Sequence, residues 1–205
     1  MKCILKDSIN PLCLKEEIVQ KTIGFTYADH LNYHTVSLSS YVEKKISQLK
    51  DTEFQTSKQK WFKSYFLKEF KSCFFPDLCI KWVNDKVGYG VFTEKALPLH
   101  TYVGEYVGLI KKKPFFLNQA NPYLFEYYLG EYLRAKLVID AKSMGNHTRF
   151  INHSDQPNLD VISIIEGKEL HIIFYTKQKI EKGKQLTYDY GETYWKDIAK
   201  HKSSL

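Results

Sequence analysis

Two different repeats of apolar residues divide the chain near residue 76. Before that point, apolar side chains recur at helical spacing, every three or four positions. Ser40 and Glu43 have the spacing of a capping box, with Ser40 as the N-cap. The apolar positions that continue this pattern are Val42, Ile46 and Leu49. The segment therefore predicts a helix that begins at Ser40.

A second helix is predicted from aromatic residues that recur every four positions. A polar break at residues 51–60 precedes it, and Pro76 ends it because proline cannot continue a helix. The repeat is formed by Phe62, Phe66, Phe70 and Phe74, with Trp61 and Tyr65 beside it. We expect this stripe to pack on the rest of the protein, with a face for a partner or for a homodimer as the alternative.

From residue 78 onward the pattern changes to short runs of β-branched and aromatic residues, separated by Gly and polar turns. A short helix is predicted between Pro114 and Ala120. The predicted strands are Leu78 to Val83, Tyr89 to Thr93, Thr101 to Leu109, Leu137 to Asp140, Leu159 to Ile165, Leu170 to Thr176 and Gln185 to Tyr188. The chain is therefore expected to hold a helical N-terminal region, 1–76, and a mainly β domain of small sheets, 77–205.

Composition indicates a folded globular protein and leaves the meaning of its charge open. Of the 205 residues, 43% are apolar and 15% are aromatic, which is unlike a disordered chain. The formal net charge is +7, but the lysines are spread along the chain and only two arginines occur, Arg134 and Arg149. A solvated basic surface and weak nucleic-acid contact both fit this charge.

Cysteine usage and hydropathy exclude several classes of protein. The four cysteines, at positions 3, 13, 73 and 79, lack the spacing of a zinc knuckle and have no histidine in ligand register. Reduced structural thiols are expected, without a metal. The N-terminal residues lack an apolar core of signal-peptide length, and no run of about 18 apolar residues occurs. A soluble protein is therefore expected.

Three segments combine residues that are unusual in a β domain. Gly88-Tyr89-Gly90 would let the backbone approach a ligand closely, although a plain turn has the same composition. The run from Arg149 to Asn158 contains Asn-His-Ser and Pro-Asn, which either cap turns or bind something. In the run Gln185 to Gly191, strand alternation aims Tyr188 and Tyr190 to one side, as core residues or as the wall of a channel.

In this order and at these spacings, the three segments resemble the SET domain of protein-lysine methyltransferases. Tyr102 to Gly108 and Tyr123 to Glu126 resemble other segments of that family, so that the resemblance covers residues 78–192. It implies a β-clip fold, in which small β-sheets surround a pseudoknot. The Asn152-His153 segment and the Tyr190 segment would thread past each other there. It also implies transfer of a methyl group from S-adenosyl-L-methionine to lysine.

The resemblance carries a set of site residues onto this chain. Tyr190 matches the catalytic tyrosine, whose hydroxyl orients the amine; Tyr188 and Tyr123 would line the lysine channel. The cofactor would be held by Gly88, Tyr89, Gly90, Arg149, Asn152, His153, Tyr190 and Trp195. A tyrosine at 188, where the family has Tyr or Phe, leaves less room for a methylated amine. Mono- or dimethylation is therefore expected.

The sequence departs from many family members after the Asn-His-Ser motif. Asp155 stands where they have cysteine, and residues 154–205 contain no cysteine, so that a zinc-bound C-terminal element is not expected. Trp195 is a candidate to replace it by stacking on the adenine or covering the channel, with ordinary packing as the alternative. Zinc-free members of this kind resemble bacterial, especially chlamydia-like, or viral proteins.

The implied substrates are histones or histone-like basic proteins, and hence a role in chromatin. A cytoplasmic location in the producing organism is expected, with secretion to a host nucleus as a bacterial effector as an extension of the analogy. Two other classes of function remain open at this point. They are an inactive SET fold that serves as a binding module and a basic nucleic-acid-binding protein.

Overall fold

The first 76 residues of the computed structural model contain three helices within the part of the chain that the structure describes. That part comprises residues 1–6, 8, 10–49, 56–113, 121–128, 136–192 and 194–195. The helices are α1 (Glu17–Ile23), α2 (Val36–Ser47) and α3 (Ser57–Lys71). The helix predicted between Pro114 and Ala120 lies outside the described residues.

Helix α2 begins earlier than the capping-box spacing predicted, so the assignment of Ser40 as N-cap is wrong. Thr35 is the N-cap; its hydroxyl accepts a hydrogen bond from the backbone N–H of Leu38 at 3.2 Å. This hydroxyl satisfies a first-turn donor that would otherwise lack a partner. Ser40 lies inside the helix, while Val42 and Ile46 are buried as the apolar spacing predicted.

Helix α3 packs its phenylalanine stripe inside the chain. It begins within the predicted polar break, where Thr56 and Gln59 form a capping box. Phe62 and Phe66 are buried in a small second core against the sheet, while Phe74 lies beyond the helix and is 51% exposed. The expectation of internal packing is therefore confirmed for the first two positions of the stripe.

Short strands account for most of the remaining described structure. Six predicted runs match strands within a few residues, but the predicted run Thr101 to Leu109 forms two strands. The strands are β1 (Lys2–Ile4), β2 (Leu12–Cys13), β3 (Thr26–Tyr27), β4 (Asn32–Tyr33), β5 (Leu78–Asn84), β6 (Gly88–Thr93), β7 (Tyr102–Glu105), β8 (Leu109–Lys112), β9 (Leu124–Tyr127), β10 (Leu137–Asp140), β11 (Met144–Gly145), β12 (Asn152–His153), β13 (Leu159–Glu166), β14 (Glu169–Thr176) and β15 (Thr187–Tyr188). A 3₁₀ helix, His147–Phe150, precedes β12.

The strands form several small sheets, as the sequence predicted. Two sheets have four strands, in the orders β2-β1-β5-β6 and β4-β8-β10-β9, and a third has the order β13-β14-β7. The pairs β3–β11 and β12–β15 complete the described sheets, and both are parallel. The two longest strands, β13 and β14, form a hairpin whose loop residue Gly167 has a φ of +59°.

The N-terminal residues supply strands as well as helices to these sheets. β1 pairs with β5, β4 pairs with β8, and β3 pairs with β11, each in parallel. Three sheets therefore contain strands from both sides of position 76. The division of the chain into regions 1–76 and 77–205 stays a prediction.

A buried ion pair beneath α3 joins two strands of the three-stranded sheet. Nδ1 of His171 on β14 lies 2.7 Å from Oε1 of Glu105 on β7, and both side chains are about one-tenth exposed. The ring of Phe70 covers the histidine at 4.5 Å. Burial alone would lower the pKa of His171, but the hydrogen bond and charge of Glu105 outweigh it, so the pKa is raised above its ordinary value of 6.5.

We expect this pair to make stability depend on pH. A raised pKa in the folded state stabilises the protein fully below pH 6.5, and this stabilisation is lost as pH rises through the folded-state pKa. Urea unfolding should therefore show a falling free energy of unfolding above pH 6.5 in the wild type. Glu105→Gln should flatten this dependence, while the control His34→Gln, at an exposed position, should not. An unchanged pH profile in Glu105→Gln would contradict the assignment.

Candidate active site

Two segments 35 positions apart in the chain meet as a pair of very short parallel strands. In β12 and β15, Asn152 lies opposite Thr187 and His153 lies opposite Tyr188. The side chain of Asn158 stabilises this pair, because it donates a hydrogen bond to the carbonyl of Gln185 at 2.8 Å and accepts one from the N–H of Thr187 at 2.9 Å. The Pro-Asn element therefore positions the segment that contains β15.

The hydroxyl of Tyr190 is fixed beside Asn152. It donates a hydrogen bond to the carbonyl of Ile151 at 3.0 Å, and the Tyr190 N–H donates to Nδ1 of His153 at 3.2 Å. Burial raises the pKa of Tyr190 well above its ordinary value, so the phenol stays neutral at physiological pH. A hydroxyl has one proton and two lone pairs. Because the proton is committed to Ile151, the oxygen is left as an acceptor.

The ring of His153 is held in one tautomer. Its Nδ1 accepts from a backbone N–H and therefore carries no proton, while Nε2 lies 3.1 Å from Oδ1 of Asp155 and donates to it. The indole of Trp195 approaches this ring at 4.9 Å and is 47% exposed. A large, half-exposed aromatic face thus stands next to the Asn152-His153 segment.

Aromatic rings enclose the space in front of Tyr190. The ring of Tyr188 lies 4.7 Å from that of Tyr190, so these two rings share one side, as alternation predicted. Burial raises the pKa of Tyr188 well above its ordinary value, and its hydroxyl has no hydrogen-bond partner within the described residues. Rings that sequence reasoning did not single out complete the wall: Tyr106, Phe125, Phe174 and Tyr194.

The Gly-Tyr-Gly segment lies against Asn152. The Asn152 amide donates to the carbonyl of Tyr89 at 3.1 Å. A Cβ atom on Gly90 would lie 2.9 Å from Cγ2 of Val83 and 3.2 Å from Nδ2 of Asn152, so this position has no room for a side chain. Gly88 begins β6 with a φ of +72°, a conformation that favours glycine. The structure thus brings all three unusual segments together.

Arg149 and Tyr123 pack on each other at the inner side of the site. The guanidinium lies 4.1 Å from the Tyr123 ring and 4.7 Å from the ring of Phe25. Its Nε and Nη2 donate to the carbonyls of Ala141 and Lys142 at 2.7 and 3.0 Å. Within the described residues, its buried Nη1 has no partner. Burial lowers the pKa of Arg149 from its ordinary value, yet the group stays charged.

Comparison with known proteins identifies the family. The family model for the SET domain matches residues 88–191, more than half of the chain. The chain belongs to the SET-domain family. This confirms the resemblance drawn from the motifs, and the described strands agree with the mainly β fold that it implied.

Several curated relatives of this SET domain are named histone-lysine N-methyltransferases. The chain is 34% identical over 124 residues to SUV39H2 of Gallus gallus, covering 55% of this chain and 30% of the relative. It is 36% identical over 114 residues to EHMT1 of Mus musculus, covering 53% of this chain and 9% of the relative. The chain therefore spans less than a third of the length of these relatives.

A solved structure supports the fold over more of the chain. The crystal structure of ATXR5 in complex with histone H3.1 superposes with a TM-score of 0.61 and 16% identity. The match covers 87% of this chain and 86% of that one. At this identity the likeness concerns the fold alone.

Two further observations concern metals and membranes. Among the described residues, no group of three or more His, Cys, Asp or Glu side chains is placed to hold a metal ion. Cys3 and Cys79 are buried, Cys13 is exposed, and none of the four cysteines forms a disulfide. In the same part of the chain, no helix combines the length and apolarity needed to cross a bilayer.

Proposed function

We propose that this SET domain is a protein-lysine N-methyltransferase that uses S-adenosyl-L-methionine. One observation carries the proposal: the neutral hydroxyl of Tyr190 is bonded to Ile151, directly before Asn152, in a pocket of aromatic rings. The names of the relatives support the reaction class. Catalytic roles for Tyr190, Tyr188 and Tyr123 belong to this proposal.

The residues around the site fit the cofactor. Asn152 and the backbone of β6 would hold its polar parts, and the half-exposed Trp195 offers a flat face for the adenine. The buried, unpartnered Nη1 of Arg149 is a donor that a ligand or a water would satisfy. His153, whose ring makes a T-shaped contact with Trp195, completes the set. When bound, the cofactor supplies an electrophilic methyl group on a sulfonium.

The aromatic wall prepares the substrate amine. A free lysine has a pKa of about 10.4, so only about one in a thousand is neutral at pH 7. The amine would enter a space walled by the rings of Tyr188 and Tyr190, and the partial loss of its hydration there disfavours the ammonium form and helps to release a proton. The Tyr190 oxygen, left as an acceptor, can bind an amine N–H and aim the nitrogen lone pair. Its role is positioning, because a phenol with a raised pKa is a poor source of phenolate.

We place histones or histone-like basic proteins first among the substrates. The names of the relatives support this choice, and the compact, zinc-free, bacterial or viral type of SET protein remains part of the proposal. Cytoplasmic location, and secretion to a host nucleus, also stay proposals. A homodimer stays a prediction.

Methyl transfer can be tested on a panel of histones and histone-like proteins with labelled S-adenosyl-L-methionine. We expect label on lysine side chains, located by mass spectrometry of peptides. The proposal is overturned if the folded chain binds the cofactor but labels no lysine in the panel, or labels another residue type instead. Heat-treated protein and omission of substrate serve as controls.

Tyr188→Phe should raise the number of methyl groups transferred. The Tyr188 hydroxyl has no hydrogen-bond partner within the described residues, and its ring lies 4.7 Å from that of Tyr190. It therefore fills space or holds a water that a methylated amine would have to displace. Loss of this oxygen should raise the ratio of trimethyl to monomethyl product about tenfold, as one methyl-sized difference in a pocket allows. An unchanged ratio by mass spectrometry would count against the assignment, with Tyr41→Phe as the control.

A further inference from the structure

The outer face of α3 consists of side chains that can donate hydrogen bonds, and none of them is acidic. Six residues form this face at helical spacing, and every one is exposed. They are Ser57, Lys60, Trp61, Ser64, Tyr65 and Lys68. Ser57 and Lys68, at the two ends of this face, are eleven residues apart, which corresponds to about 16 Å of helix at about 1.5 Å per residue.

Four of the five lysines of α3 form two pairs that differ in their contacts, and the fifth, Lys58, lies over the ring of Phe62. Lys63 and Lys71 both contact Glu166 on β13, at 2.8 and 3.3 Å, and so anchor the helix to the sheet. Lys60 and Lys68 have no carboxylate partner within the described residues. The positive charge of the outer face is therefore available to a ligand.

The two aromatic residues on this face are exposed but fixed in position. Trp61 and Tyr65 are 49% and 54% exposed, and their rings stack at 5.0 Å with 14° between the planes. The edge of Trp61 also packs on Phe62 and on His100. Since the indole N–H and the phenol O–H have no protein partner in the described part of the chain, both can donate to a ligand at no cost in rotamer entropy.

The acidic residue of α3 does not reach the outer face. Glu69 follows Phe66 by three positions and so falls on the inner side of the helix, where one of its carboxylate oxygens is buried. An ordinary solvated helix face mixes both signs of charge. This face carries two lysines, two serines, a tyrosine and a tryptophan. All six side chains can donate hydrogen bonds, so the face is suited to bind a ligand that presents a row of hydrogen-bond acceptors.

We propose that the outer face of α3 binds the phosphate backbone of duplex DNA. Duplex DNA presents a phosphate about every 3.4 Å of its axis on each strand, so a face about 16 Å long can reach more than one phosphate of the same strand. Lysine, serine and tyrosine side chains are common donors to phosphate oxygens. An anionic membrane fits less well, because the apolar side of α3, with Phe62 and Phe66, is already buried against the sheet.

The salt dependence of DNA binding tests the proposal with a matched pair of variants. Lys60→Gln/Lys68→Gln removes two charges from the face, and Lys44→Gln/Lys182→Gln removes two exposed charges elsewhere. By fluorescence anisotropy with a labelled duplex, the first variant should weaken binding about tenfold and flatten the slope of log K against log salt by about 2. The control should change neither by a comparable amount. Equal effects of the two variants would overturn the proposal.

Tryptophan fluorescence gives a second, independent readout. DNA should change the emission of the wild type, which has three tryptophans, and the change should disappear in Trp61→Phe. A change that persists in Trp61→Phe places the DNA elsewhere and contradicts the proposal. So does binding to phosphatidylserine vesicles without binding to DNA. Neither assay contains cofactor or histone, so their outcome is independent of methyl transfer.

Discussion

Tyr190→Phe should lower kcat for methyl transfer by about 100-fold or more, with little change in cofactor affinity. The variant keeps the ring and its packing on Tyr188 but removes the oxygen that is left to accept from the amine. Loss of one well-placed polar group in an enclosed site commonly costs about 10²–10³ in kcat. Initial rates with labelled cofactor and a histone substrate give the measurement.

A neighbouring tyrosine supplies the control for this prediction. The ring of Tyr194 lies 4.6 Å from the ring of Tyr190. The variant Tyr194→Phe keeps this ring and loses only its hydroxyl, so we expect it to keep most of the activity. Tyr190→Phe also leaves the Ile151 carbonyl without its donor, which should cost about 1 kcal/mol of stability. Thermal unfolding separates this loss from catalysis. Equal activity in the two variants would remove Tyr190 from its catalytic role.

Asn152→Ala should weaken cofactor binding by at least about tenfold. The carboxamide donates to the Tyr89 carbonyl at 3.1 Å and so joins the Asn-His segment to β6, the two parts that the proposed cofactor site uses. Its loss removes this link and leaves a partly buried carbonyl unpaired, an effect of about 1–3 kcal/mol. Isothermal titration with S-adenosylhomocysteine measures the affinity directly.

Two matched variants make the result specific to the link. Asn152→Asp has nearly the same shape but replaces the donor by an acceptor that faces the Tyr89 carbonyl, so it should bind as weakly as the alanine variant. Asn32→Ala removes an exposed amide whose partner is the His30 carbonyl, and it should bind normally. Wild-type affinity in Asn152→Asp would show that the donor is not needed.

The sequence was informative where strands are long enough to show a period. The runs that form β5, β6, β10, β13 and β14 contain four to eight residues each, and their apolar patterns predicted them. Strands β1 to β4 have only two or three residues, too few to show alternation. Their pairing depends on contacts with distant parts of the chain, which no local pattern records.

Some misplaced boundaries have local physical causes. The run from Thr101 to Leu109 reads as one strand, but it bends before Leu109. A Cβ on Gly108 would lie 2.6 Å from the Asp140 carbonyl, so the backbones approach closely there. Likewise Ser40 and Glu43 have capping-box spacing, yet Thr35 caps the helix five positions earlier. Spacing alone does not decide between two acceptable caps.

The sequence predicted the three motifs of the candidate site but only some of the aromatic residues that line it. The motifs around Tyr89, Asn152 and Tyr190 were visible as unusual residue choices, and the fold brings them together. Phe125 and Phe174 have ordinary strand sequences around them and become part of the wall only through tertiary packing. No signal within the sequence distinguishes them from core residues.

The N-terminal region has a structural link to the site that sequence reasoning did not anticipate. Phe25 lies between α1 and β3, and its ring packs on the Arg149 guanidinium and, at 5.6 Å, on Phe150. The same guanidinium stacks on Tyr123. Phe25, in the N-terminal region, thus helps to hold the side chain of Arg149, which belongs to the proposed cofactor site.

The central claim is that Asn152 and Tyr190 serve one site for the cofactor and the lysine. A crystal structure with S-adenosylhomocysteine and a lysine peptide tests it most directly. The account predicts the cofactor against Asn152 and β6, with the lysine nitrogen bonded to the Tyr190 oxygen. Cofactor bound at a different place, or a lysine channel that does not reach Tyr190, would contradict it.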